Sequence, residues 1–105
     1  MSALELLHKL PVAINPQATA GIECTIQFNI SQPAYAVIRN GACEVSEGST
    51  DAADLTLKMS DDDLVGLLTG KLDGMMAMMT GRLKLQGDMG LATQLGRYFD
   101  ASLLG

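Results

Sequence analysis

Few residues in this chain are equipped for covalent chemistry. His8 is the single histidine, and it lies on an apolar N-terminal segment, far in sequence from Cys24. Nucleophilic catalysis needs a serine or cysteine beside a base. General acid–base work needs a histidine or a carboxylate shifted by its cleft. Cys24 falls on the apolar side of an alternating segment, and no GxSxG, Walker, Rossmann-glycine or zinc-ligand spacing occurs. Cys24 and Cys43 form no CxxC and no disulfide framework, so buried free thiols are expected. Asp61-Asp62-Asp63 is the densest acidic run. Calcium loops spread their ligands over a dozen residues with a central Gly and a terminal Glu, and that spacing is absent. The run suits the first turn of a helix behind Ser60 as N-cap, where the helix dipole favours carboxylates. No catalytic residue, cofactor or metal ligand is assigned, and an enzyme is not expected.

The methionines offer a different chemistry. Met75, Met76, Met78 and Met79 lie within five residues. Thioethers are soft ligands for copper(I), but such a site wants His, Cys or further Met converging. Core packing and the wall of an adaptable apolar cavity are the other readings. Consecutive residues point around a helix, so this run cannot bury every face in one close-packed core. Some of the side chains must face a cavity, a ligand, a bilayer or a partner. The chain has 7 Met against 2 Tyr, 2 Phe and no Trp, so its apolar interior is built from flexible side chains.

At 105 residues the chain is read as one domain, residues 1–105. Apolar residues make up 48%, enough for a core and too many for wholesale disorder. The formal charge of −5 removes the basic footprint that a nucleic-acid partner requires. It also argues against overall electrostatic docking on anionic lipid, while leaving transient membrane contact through apolar loops open. No apolar run approaches the ~20 residues that span a bilayer. The N-terminus lacks the features of a signal peptide and the C-terminus carries no targeting tripeptide, so a cytoplasmic protein is expected.

The elements that must position these residues are legible in the periodicity. Leu4, Leu6, Leu7 and Leu10 mark a short amphipathic helix ending before Pro11, followed by an irregular stretch over 11–19. Ile22, Cys24, Ile26, Phe28 and Ile30 alternate with polar residues, which predicts a strand with one wet face. Tyr35–Arg39 and Ala42–Glu47 are two more strands joined by Asn40-Gly41, a tight hairpin signal. Ala53–Met59 alternates as a fourth strand. The period then changes to helical from Ser60 to Gly70, and again over Met75–Met79, closed by Gly81. Arg82–Gln86 is a fifth strand, Gly87 turns, and Asp88 caps a last helix carrying Met89, Leu91, Ala92, Leu95, Tyr98 and Phe99 on its apolar face. The order is helix, four strands, two helices, strand, helix. That is an α+β layout with helices packed against one sheet.

Several of these segments resemble the sterol carrier protein type 2 domain. The resemblance is carried by Ala53-Asp54-Leu55-Thr56-Leu57-Lys58-Met59-Ser60-Asp61-Asp62-Asp63-Leu64, by Leu67 to Asp73, by Ala77 to Met89, and by Leu91-Ala92 and Leu95. Asn40-Gly41 sits where that family turns a hairpin. The similarity runs over about residues 20–99 and is densest over 53–95. It implies a five-stranded mixed sheet with helices on one face, enclosing an apolar tunnel. It implies a non-enzymatic carrier of fatty acid, acyl-CoA, phospholipid or sterol. The tunnel wall is then expected at Leu64, Leu67, Leu68, Met75, Met76, Met78, Met79, Leu83, Leu85, Met89, Leu91, Leu95 and Phe99, with Ile26 and Phe28 as its floor. The chain departs from the eukaryotic carriers in a shorter N-terminal helix, Tyr35 in place of a family tryptophan, and no peroxisomal signal. It is read as a stand-alone bacterial member. An accessory protein that holds a polyprenyl or quinone intermediate and contacts lipid-pathway enzymes is the alternative. Either a monomer or a homodimer joined at a tunnel mouth is compatible with the sequence.

Overall fold

The computed structural model describes residues 2–104. Its centre is β1 (Glu23–Asn29), the segment with the cleanest alternation. Cys24, Ile26 and Phe28 point to a buried face and pair with Ile38, Ala36 and Ala34 of β2 (Ala34–Arg39), antiparallel. β2 pairs in turn with β3 (Ala42–Glu47) across Asn40-Gly41. Both turn residues have positive φ, 48° and 84°, as a type I′ hairpin requires. On its other side β1 runs parallel to β4 (Leu55–Lys58), which pairs antiparallel with β5 (Lys84–Gly87). The strand order β3-β2-β1-β4-β5 is therefore a mixed five-stranded sheet, as expected.

Cys24, Ile26, Phe28, Ala34, Ala36, Ile38, Leu55 and Leu57 make the buried face continuous. Leu6 and Leu7 of α1 (Ala3–Leu7), Leu10 of α2 (Leu10–Ala13), Leu64 of α3 (Asp61–Leu68) and Leu91 of α5 (Met89–Tyr98) belong to the same core. The fold is α+β.

Local chemistry explains the departures from expectation. The chain does not end its first helical region before Pro11. A second short helix starts at Leu10, with Pro11 in its first turn, where no N–H partner is needed. β4 is shorter than its alternating pattern because Asp54 turns its carboxylate onto the Thr25 N–H at 2.8 Å. Phe99 is not part of the last helix. It is extended and bridges Ile14, and Asp100 N–H donates to the Ala13 carbonyl at 2.9 Å. The 11–19 segment is thereby held against the end of the chain. A 3₁₀ turn follows at Ala101–Leu103.

Gln27 also departs from its expected place on a wet face: it is only 3% exposed. Its amide nitrogen donates to the carbonyls of Ala34 and Gly48, both at 3.2 Å, and its Oε1 accepts from Thr50 N–H at 2.9 Å. The 48–50 turn is folded over β1 and β2 and clamped there. A polar residue in a strand pattern cannot reveal a loop that returns to cover it.

Candidate functional site

α4 (Gly74–Met79) is six residues long and begins at Asp73, whose carboxylate accepts from Met75 N–H at 2.8 Å. Only Ala77 turns inward, at 1% exposure. Met75, Met76, Met78 and Met79 are 73%, 55%, 46% and 78% exposed. Core packing is thus not their role, since the helix buries only the Ala77 side chain. Its remaining ties are local. Leu67 lies against Gly74, Leu72 lies against Gly66, and the Ala77 carbonyl accepts from Arg82 and Leu83 N–H at 2.9 and 3.0 Å. A four-methionine surface on a helix held so lightly can re-pack around an apolar partner.

The other expected wall and floor residues divide into two groups. Ile26, Phe28, Leu64, Leu83, Leu91 and Phe99 are buried in the core, while Leu67, Leu68, Leu85 and Leu95 are half-buried around it. Met89, at the start of α5, is exposed like the α4 methionines. The residues expected to form the wall therefore divide into a packed layer on the sheet and an exposed set of methionines. Ile26 and Phe28 are sealed beneath side chains. Two depressions stand out elsewhere on the surface, of about 370 Å³ and about 270 Å³. Both are open, and both lie around Asn29, Lys58 and Lys84; Met59 lines the larger one, and no α4 methionine lines either.

Asp61, Asp63 and Arg82 have structural partners. Ser60 Oγ accepts from Asp63 N–H at 3.1 Å, so the acidic run is the capped first turn of α3. Asp61 accepts from both the N–H and the hydroxyl of Ser31, at 2.9 and 2.5 Å, and these bonds hold its carboxyl below the usual range. Asp63 is buried against Arg82, which follows α4, and the guanidinium bond lowers its pKa. A carboxylate whose folded pKa is depressed stabilises the fold above its unfolded pKa, and that contribution is lost as pH falls through the folded value. Arg82→Ala is therefore expected to lower the melting temperature at neutral pH. The gap to wild type should narrow below about pH 4, where a free carboxylate is protonated. A constant gap from pH 7 to pH 3 in thermal melts would show that the pair does not supply this pH dependence.

The cysteines are inert. Cys24 and Cys43 lie on either side of Ile38 in adjacent strands. Two strand spacings, roughly 9.5 Å, exceed the reach of a disulfide. Burial pushes both thiols up, Cys43 to about 11, so neither is a nucleophile at neutral pH. His8 contacts Glu47 at 3.5 Å on the surface, remote from both.

The profile of the SCP-2 sterol transfer family matches residues 4–100. The chain belongs to the SCP-2 sterol transfer family. Among its relatives, the peroxisomal multifunctional enzyme A of Dictyostelium discoideum is 43% identical over 65 residues, 62% of this chain and 14% of its own. Sterol carrier protein 2 of Bos taurus is 43% identical over 58 residues, 55% of this chain and 11% of its own. The chain thus spans a small fraction of the length of the curated relatives it matches. The crystal structure of sterol carrier protein 2 like 2 from Aedes aegypti superposes with a TM-score of 0.72 at 20% identity, over 90% of this chain and 91% of that one. It has the same α+β fold. For an SCP-2 domain, lipid binding is the function class, and no helix among the described residues is long and apolar enough to cross a membrane.

Sequence reading of the SCP-2 segments did not single out Lys58 and Lys84. Each occupies a polar position of an alternating strand, which is the only signal a sequence offers for them. Their juxtaposition depends on strand register.

Proposed function

We propose that this SCP-2 domain is a non-enzymatic lipid-binding and lipid-transfer protein. It holds an acyl chain, as fatty acid, acyl-CoA or phospholipid, between the α4 methionines and the leucines of α3 and α5. The supporting observation is the exposure of four methionines on a helix whose one buried side chain is Ala77. Movement of α4 about its two links opens the space for the chain, with Leu64, Leu67, Leu68, Leu83, Leu85, Leu91, Leu95 and Phe99 as the inner wall. Met89 closes it from α5. Binding then needs no covalent step. Each CH₂ withdrawn from water contributes ~0.8 kcal/mol, so a dodecyl chain gives about 9 kcal/mol gross before ordering and association costs. Thioether side chains adapt to chains of different shape, which gives broad specificity.

Native mass spectrometry of the freshly purified protein, followed by organic extraction, tests the reading. A bound mass that extracts as fatty acid or phospholipid supports it, whereas a prenyl quinone would favour the accessory role in a biosynthetic complex. On delipidated protein, calorimetric affinity should rise with fatty-acid length by up to about fourfold per CH₂. Met75→Asp/Met79→Asp should weaken binding by about tenfold or more, because each site loses apolar area and gains a charge. Its melting temperature should hold, since both positions face solvent in the free protein. Unchanged affinity in the folded variant would place the ligand elsewhere.

A further inference from the structure

The sheet's outer face carries a second feature that the methionine site does not use. Register places Asn29 beside Lys58 and Lys58 opposite Lys84, so three side chains form one row across β1, β4 and β5. The adjoining row brings Thr56 opposite Gln86. Like charges directly opposite on paired strands destabilise a sheet. Neither lysine has an ion-pair partner among the described residues, in a chain with 12 carboxylates against 7 cations. Both surface depressions open over this row, and no Asp or Glu lines either of them. Arg82 stands at the rim of the larger one, with its guanidinium held by Asp63. Asp61 is turned onto Ser31.

We infer that Lys58 and Lys84, with Asn29, Thr56 and Gln86, form a binding site for a phosphate group. Two ammonium groups share one anion between them, which replaces their mutual repulsion with two attractions. The amides and the hydroxyl supply further donors to the remaining phosphate oxygens. Because the site lies on the face of the sheet opposite the core, it needs no acyl chain and does not depend on the methionine surface. The net charge of −5 conceals it, since three of the 7 cations gather here. A soluble phosphate ester and a phospholipid headgroup present the same chemistry.

Two probes separate these sources: coenzyme A, followed by amide chemical shifts, and phosphatidylglycerol vesicles, followed by co-sedimentation. Saturable shifts centred on Asn29, Lys58 and Lys84 with coenzyme A identify a soluble ester. Vesicle binding without coenzyme A binding identifies a headgroup. In either case the affinity should fall steeply with added salt, and Lys58→Gln/Lys84→Gln should weaken it by about tenfold or more. Lys58→Arg/Lys84→Arg should stay within about threefold of wild type, since it keeps both charges. The glutamine variant should melt at or above the wild-type temperature, because the repulsive pair is gone. Absence of binding to both probes overturns the site, as does wild-type affinity in the glutamine variant.

Discussion

Gly87→Ala is expected to be among the most destabilising single-methyl changes in this protein. Gly87 ends β5 with φ of 113°, a backbone region that L side chains rarely adopt. A Cβ there would stand 2.4 Å from the Asp54 carbonyl oxygen, well inside van der Waals contact. That oxygen cannot retreat freely, because it accepts from Asp88 N–H at 2.9 Å, and Asp54 N–H donates to the Thr25 carbonyl at 2.8 Å. Backbone strain and overlap each cost about 1–3 kcal/mol, which together is about 4 kcal/mol. For a domain of this size the melting temperature should drop by roughly 15–30 °C. Hydrogen exchange should show the loss first at β5 and at the Asp88 amide, since these lie on the sheet edge. A drop of only a few degrees would mean that the β4–β5 junction yields to admit the methyl group.

Phe28→Ala measures whether the expected tunnel floor is solid. Phe28 is 2% exposed and sits between Ala34 of β2 and Leu57 of β4 in the register of the sheet. Small neighbours on one side leave the ring to fill the space by itself. Truncating a packed phenylalanine costs about 3–5 kcal/mol, a large share of the 5–15 kcal/mol typical of a whole domain. Urea denaturation should show the midpoint falling with little change in slope. A loss near 1 kcal/mol would instead identify a ring that already borders open space. The result thus bears on the proposed site: with a packed interior, the proposed binding requires α4 to move before a chain enters.

Much of the architecture was readable from local pattern. The alternation at β1, the Asn40-Gly41 hairpin and the change of period at Ser60 all depend on residues a few positions apart, so they survive without knowledge of the fold. Caps at Ser60 and Asp88 belong to the same class, because a side-chain oxygen reaches only the N–H groups of its own first turn. The methionine run was legible as well. A helix cannot bury residues pointing in every direction, so some exposure of Met75, Met76, Met78 and Met79 followed from the spacing alone.

The sequence by itself determined the five strands and the helices between and after them, in their order, and the presence of an adaptable apolar helix; the short helix at Leu10–Ala13 was not among them. Beyond the Asn40-Gly41 hairpin, only the tertiary structure decided which strands became neighbours, and with that the chemistry between them. Lys58 and Lys84 are 26 positions apart and meet only because β5 folds back beside β4 in one register. Gln27 is polar in any strand pattern, yet a returning turn buries it. Gly87 is required by a carbonyl from a segment more than thirty residues earlier. Element type follows from side-chain period and capping, which are short-range. Register follows from hydrogen bonds and packing shared across the whole sheet, and a shift of one residue would turn every such contact to the opposite face.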